Sequence, residues 1–208
     1  MLINRARKIL VTLAALCCLG LTTGYMFWPR SPLHLGQDDN MSASRLRADW
    51  DRGAVVVLVR HAERCDRSSN PCLGPEDGIT TLGSQVSTEV GRSLKDLGLD
   101  RTDIISSRAT RTEQTALYMF GYPVQTQEWL SDCEQFMLDE VAAHKASNRN
   151  LILITHRGCM SHLESRQGYW DADSSEYNSA LFLSLDDHQK LKVQGVLNPD
   201  EWERLPKR

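Results

Sequence analysis

The longest uncharged run in the chain is ILVTLAALCCLGLTTGYMFW, residues 9–28. About 20 apolar residues is the length a helix needs to span a bilayer. After it the apolar runs become short and follow two periods. AVVVLVR, residues 54–60, is a continuous β-branched run, which predicts a strand buried on both faces at the centre of a parallel sheet. Val86, Val90, Leu94 and Leu97 lie one helical turn apart on a single face, with Thr80 placed to cap that helix and Gly98 to stop it. A second strand is expected over 103–106, a helix over 109–120, a short extended piece over 123–126 and a further helix over 134–147. NLILITH, residues 150–156, repeats the apolar run ending in histidine, and 179–185 with 190–196, joined by DDHQ, read as a late hairpin.

Strands alternating with helices predict a three-layer α/β/α sandwich with a mostly parallel central sheet, whose ligands bind beyond the carboxyl ends of the strands. This domain is expected over 53–208. Residues 31–52 are polar and punctuated by Pro32 and Gly36, which predicts a linker leading into a short helix over 42–50.

Composition narrows the classes. With 41% hydrophobic and 25% charged residues among 208, the chain is globular, not disordered or low-complexity. A net charge of −3 argues against nucleic-acid binding through a bulk basic surface. The average hides a split, because Arg5, Arg7, Lys8 and Arg30 face no acidic residue in the first thirty positions. Basic residues ahead of an apolar run are the charge order of an export signal or of a cytoplasm-in anchor. Residues 1–30 therefore read as a signal peptide or signal anchor, and the rest as periplasmic, either released or held at the inner membrane by residues 9–28. A lipid-attachment cysteine is disfavoured, since Leu16 and Cys17 stand where a small residue would precede Cys17 or Cys18.

Export changes how the other cysteines read. Cys65, Cys72, Cys133 and Cys159 form an even set, and in an oxidising compartment four cysteines allow three pairings. Cys65–Cys72 with Cys133–Cys159 is the expected one, because the first two flank the short loop DRSSNP. Zinc is the competing reading beside His61 and His156, but there is no C-x-x-C pair and no H-x-x-x-H spacing. Neither a metal nor an organic cofactor is expected.

Two strands deliver histidines to the same sheet edge: Arg60-His61 after AVVVLV, and His156-Arg157-Gly158 after LILIT. SSRATRTEQTA, residues 106–116, adds Arg108 and Arg111 at a strand-to-helix junction. Histidines and arginines around helix N-termini suit a dianionic group, phosphate above all. A histidine pair adds chemistry to binding: one imidazole attacks phosphorus while the cations stabilise the transferring oxygens.

These residues carry a resemblance. LVRHAER at 58–64, GITTLG at 78–83, RTEQTA at 111–116 and THRG at 155–158 resemble, in order, the motifs of the histidine phosphatase (phosphoglycerate mutase-like) superfamily. The resemblance implies that His61 is the phosphorylated nucleophile, that Arg60 and Arg111 hold the phosphoryl group, and that His156 stabilises the same oxygens. Arg108 does not match the clamp position. HAERCDRSSNPC further resembles the cysteine-bracketed loop of exported lipopolysaccharide core heptose(II)-phosphate phosphatases, which carry cysteines near the positions of Cys133 and Cys159 and so support the pairing above. The implied substrate is a phosphorylated sugar or lipopolysaccharide core, with no nucleic-acid partner and membrane contact only through a retained N-terminal segment.

One motif departs. The family's proton-donating carboxyl falls in a stretch that reads WLSDCEQF here, so Asp132 is the better register match and Glu134 the second. Arg64 and Arg67, in the loop after His61, are candidates to bind a further phosphate or acidic sugar. The alternative readings are an envelope protein that binds or senses phosphate esters without hydrolysing them, and a phosphatase of another envelope phosphosugar.

Overall fold

The computed structural model describes residues 2–26, 30–37, 40–43, 45–133, 137–170, 172, 175–186 and 190–204. The chain forms two compact units, Met1–Arg30 and Ser31–Arg208. The first holds one helix, α1 (Leu2–Met26), along which Leu10, Leu13, Leu16, Leu19 and Leu21 are exposed. Among the described residues no helix is long and apolar enough to cross a membrane.

The second unit is built on six strands: β1 (Val55–Arg60), β2 (Thr102–Ser106), β3 (Gln125–Thr126), β4 (Asn150–Thr155), β5 (Ala180–Leu185) and β6 (Leu191–Leu197). Their order across the sheet is β3-β2-β4-β1-β5-β6. β1, β4, β2 and β3 run parallel, while the β5–β6 hairpin joins β1 antiparallel. The β-branched run is therefore central, as its continuous apolar character predicts.

Alternation along β1 divides the core in two. Val55, Val57 and Val59 face a cluster with Val90, Leu94, Met119 and Phe120, carried by α4 (Thr81–Leu97) and α5 (Thr110–Phe120). Val56 and Leu58 face the opposite cluster, which includes Val141 of α6 (Met137–His144) and Met160 and Leu163 of α7 (Arg157–Arg166). Helices thus cover both faces, and each fully buried valine contributes about 1.5–3 kcal/mol. Thr80 caps α4 by accepting from Gly83 N at 2.9 Å, and Gly98 ends it at φ +91. Gly91 lets α4 and α5 meet backbone to backbone, since a Cβ there would lie 1.9 Å from the Met119 carbonyl oxygen.

Two expectations are corrected. Residues 31–52 do not run free as a linker. Leu35, Leu46 and Trp50 are buried in the first core cluster, and Trp50 Nε1 donates to the Gly98 carbonyl at 3.0 Å. The helix expected over 42–50 is two short ones, α2 (Asn40–Ala43) and α3 (Leu46–Asp51). α7 forms where the sequence shows no helical period, because its exposed face is polar and only a few of its positions are apolar. The helix expected over 134–147 is α6, and residues 134–136 lie outside the described ones.

The pairing of the cysteines is the expected one. Cys65–Cys72 closes the loop after β1, and Cys133–Cys159 ties the segment after β3 to α7, with Cα separations of 5.2 and 4.3 Å.

Candidate active site

The parallel pair β1–β4 aligns Arg60 with Thr155, so His61 and His156 each stand one residue beyond the last paired position. The ladder reaches them, since His61 N donates to the Thr155 carbonyl at 3.0 Å. Their ring centroids are 5.4 Å apart, edge to face. A third ring, Tyr177, has its centroid 5.7 Å from that of His61.

Hydrogen bonds fix both tautomers. His61 Nδ1 lies 2.8 Å from the Ala62 carbonyl oxygen, which only accepts, so Nδ1 carries the proton and Nε2 the lone pair. Arg111 Nη2, which only donates, lies 3.3 Å from His156 Nδ1. The His156 proton is therefore on Nε2, which donates to Ser107 Oγ at 2.9 Å. Ser107 Oγ is held in turn by Ser131 Oγ at 3.1 Å and Thr112 Oγ1 at 3.2 Å.

Both imidazoles are neutral. Burial lowers the His61 pKa to about 3, with His156, Arg111 and Arg60 adding to the effect and the bond to Ala62 opposing it. Burial, then Arg111 and Arg64, lowers that of His156 to about 4. Their ordinary value is about 6.5.

The arginines sort into different environments. Arg60 donates from Nη1 to the Ser175 carbonyl and lies over the Tyr177 ring at 3.9 Å. Burial, opposed by Tyr177 and reinforced by Arg157 and Arg67, lowers its pKa. Arg111 is lowered by burial and then by Arg64. The Nε atoms of Arg60 and Arg111 are both buried without a hydrogen-bond partner. An unsatisfied buried donor calls for a reason, and on two guanidinium groups beside the histidines an incoming acceptor supplies one. Arg64 is bound in a fork to Asp66, while Arg67 is exposed. Arg108 pairs with Glu128 at 3.1 Å on the open rim, outside this arrangement.

The motif segments interlock. Thr115 Oγ1 accepts from Ala62 N at 2.9 Å and donates to the Arg111 carbonyl at 2.6 Å, so one hydroxyl joins the loop after His61 to the helix that carries Arg111. Gln114 Oε1 accepts from Ile79 N at 2.8 Å. Thr80 donates to Glu63 Oε2 at 2.6 Å while its oxygen caps α4.

The carboxyls divide as well. Burial raises Glu63, but hydrogen bonds from Thr80, Asn70 and Ser68 outweigh it, leaving its pKa below the ordinary value. Asp66 is lowered by its bonds to Arg64. Asp132 is exposed and follows Ser131, the residue that holds Ser107. Glu134 lies outside the described residues. Among the described residues no cluster of His, Cys, Asp and Glu could hold a metal ion.

Tyr177, Ser107 and Ser175 are site residues that the sequence did not single out. Ser107 stands in SSRATRTEQTA beside Ser106, and nothing in the sequence distinguishes the two. Tyr177 and Ser175 come from the irregular stretch before β5, where no periodicity marks them.

A scan against family models finds no match. The chain is 34% identical over 162 residues to the lipopolysaccharide core heptose(II)-phosphate phosphatase of Shigella flexneri serotype 5b, covering 76% of this chain and 78% of that protein. It is 32% identical over the same shares to the like-named protein of Escherichia coli K12. Among solved structures it is similar to the putative phosphohistidine phosphatase SixA of Agrobacterium tumefaciens, with a TM-score of 0.54 and 18% identity over 70% of this chain and 97% of that one. The phosphoglycerate mutase of Bacillus anthracis matches with a TM-score of 0.54 and 14% identity over 75% and 98%.

Proposed function

We propose, from the premise that the chain belongs to the lipopolysaccharide core heptose(II)-phosphate phosphatases and has the histidine phosphatase fold, that it removes phosphate from a core heptose through a phosphohistidine at His61. It is a phosphoric monoester hydrolase by kinship; the mechanism, the sugar and the compartment are our reading.

The observation that carries the mechanism is the pair of buried, unpartnered Arg60 and Arg111 Nε donors beside a neutral His61 whose Nε2 holds a lone pair. In the first step Nε2 attacks phosphorus and the bond to the ester oxygen breaks. The departing alkoxide takes a proton from Asp132. Arg60 and Arg111 donate to the equatorial oxygens, where preorganised cations act most strongly because burial keeps water away. His156, neutral in the free site, takes up a proton as the dianion arrives, since a nearby negative charge favours its charged form. In the second step a water gives its proton to the Asp132 carboxylate and attacks phosphorus, the P–N bond breaks, and His61 returns to its starting state.

Export is supported by the basic leader ahead of the apolar run and by two disulfides in the enzyme unit. Substrate identity rests on the named relatives.

Rapid-quench labelling tests the mechanism. Incubation with a ³²P-labelled sugar phosphate should leave stoichiometric, acid-labile label on His61, absent in His61→Ala. Normal turnover by His61→Ala would overturn it. The sugar is tested by the heptose phosphate content of purified lipid core from cells with and without the protein; an unchanged content would direct the search to another envelope phosphoester.

A further inference from the structure

Beside the catalytic residues lies a cleft of about 510 Å³ that the phosphoryl chemistry does not use. Its volume is within the range of about 300–1,000 Å³ in which small-molecule ligands are held. Arg60 and Tyr177 form the end next to the nucleophile. One wall is the first two turns of α4, from which Leu82 projects 48% exposed with Val86 below it, and Pro199 faces them. The remaining lining includes two carboxylates, Glu63 and Glu176.

The lining has the chemistry of a particular class of ligand. A large exposed leucine beside a valine, a proline and an aromatic ring offers an apolar surface. The carboxylates can only accept hydrogen bonds. A second anion would be repelled by them, and a purely apolar ligand would strip them of water without replacing its bonds. A polyhydroxylated ring meets both requirements: its C–H face packs on the apolar wall and its hydroxyls donate to the carboxylates. Glu63 is already locked in position by Thr80 and Asn70, at 2.6 and 2.9 Å, so little ordering is needed for it to bind. Arg60 links the two regions, since it lines the cleft and its backbone leads directly into His61.

We propose that this cleft is a saccharide subsite, holding the sugar residues joined to the phosphorylated one while the phosphoryl group sits between Arg60, Arg111 and the two histidines. The assignment rests on the phosphatase reading above and extends it to the body of the substrate. It makes the wall of α4 and the 175–178 turn the determinants of which glycan is processed.

Leu82→Asp and Glu176→Ala test it. Both positions are exposed, and an aspartate in the first turn of a helix is compatible with the helix dipole, so the fold is retained. The expected result is at least a tenfold fall in kcat/KM on phosphorylated core oligosaccharide, mostly in KM, with p-nitrophenyl phosphate turnover unchanged within twofold. Binding of enzymatically dephosphorylated core oligosaccharide, followed by NMR shifts of the α4 and 175–178 amides, should weaken in parallel. Equal losses on both substrates, or no loss on either with unaltered glycan binding, would overturn the subsite. If the unmodified protein binds the dephosphorylated glycan through these residues but does not hydrolyse heptose phosphate, the subsite stands and the substrate reading falls. If it hydrolyses heptose phosphate and both variants do so equally well, the subsite falls alone.

Discussion

The guanidinium carbon of Arg60 lies 3.9 Å from the centroid of the Tyr177 ring. The same ring approaches His61, so one aromatic side chain lies against both Arg60 and the proposed nucleophile. A cation over an aromatic face is worth about 0.5–2 kcal/mol, more when desolvated. Tyr177→Leu should therefore raise the KM for a small aryl phosphate about 2- to 30-fold, with a parallel rise in the inhibition constant of inorganic phosphate. Tyr177→Phe, which keeps the face, should show a smaller change.

Ser107 is a positioning residue for His156. Ser107→Ala leaves the His156 Nε2 proton without its acceptor and frees the ring to change tautomer. The loss of one such bond, about 0.5–1.5 kcal/mol, predicts a fall in kcat of about 2- to 13-fold with little change in KM. The pH profile distinguishes this from a structural fault, because a loosened His156 should move the acid limb of kcat, whereas a misfolded fraction would scale the whole profile.

Asp132 as proton donor predicts a dependence on the leaving group. Asp132→Asn should slow hydrolysis of a sugar phosphate about 10²- to 10⁴-fold, the usual contribution of a general acid. The pre-steady-state burst of p-nitrophenol, whose leaving group needs no proton, should keep its rate, while the later steady-state turnover slows because the same carboxylate takes the proton of the attacking water. An equal loss in the first phosphoryl-transfer step on both substrates would remove Asp132 from the role of proton donor.

The two histidines make the fold sensitive to acid. Their folded pKa values, about 3 and about 4, lie below the unfolded value of about 6.5. Between these limits the unfolded chain binds protons that the folded one does not, so stability is full above about pH 6.5 and is lost as pH falls toward 4. Glu164, raised by burial to about 7, acts with the opposite sign, which makes the difference between proteins the useful measurement. Urea midpoints at pH 7.5, 6 and 5 should fall less steeply for His61→Asn than for the unmodified protein.

The two disulfides should contribute unequally. Closing a loop lowers the entropy of the unfolded chain by an amount that grows with loop length. Cys133–Cys159 spans 26 residues and Cys65–Cys72 spans 7, so Cys133→Ser/Cys159→Ser should cost about 1 kcal/mol more in urea unfolding than Cys65→Ser/Cys72→Ser. Cys65 adjoins Arg64, but Cys133 adjoins Asp132, the proposed proton donor, so removal of the longer bridge should also cause the larger fall in kcat/KM.

Much of this was legible from the sequence. β1, β4 and the helix faces of α4 and α5 carry their own periods, and the histidines follow directly from where the two strands end. Arg111, the proposed clamp residue, was legible because it opens a helix. The packing of residues 31–52 was not, because Leu35, Leu46 and Trp50 are single apolar residues in a polar stretch and their burial depends on partners far along the chain. Tyr177 and Ser175 were hidden for a similar reason: an irregular segment has no period, and its meaning comes from the Arg60 side chain it meets.

The alignment of Arg60 with Thr155 has a consequence for how this catalyst can vary. Because both histidines are appended at the same level to neighbouring strands of one ladder, their spacing is inherited from the inter-strand distance of about 4.8 Å and not from loops that drift as sequences change. The separation is in effect quantised: a slip of one residue would shift His61 a full step along the strand relative to His156 and turn it to the other face of the sheet. Insertions and substitutions elsewhere can therefore reshape what the enzyme accepts while the distance between its two imidazoles stays the same.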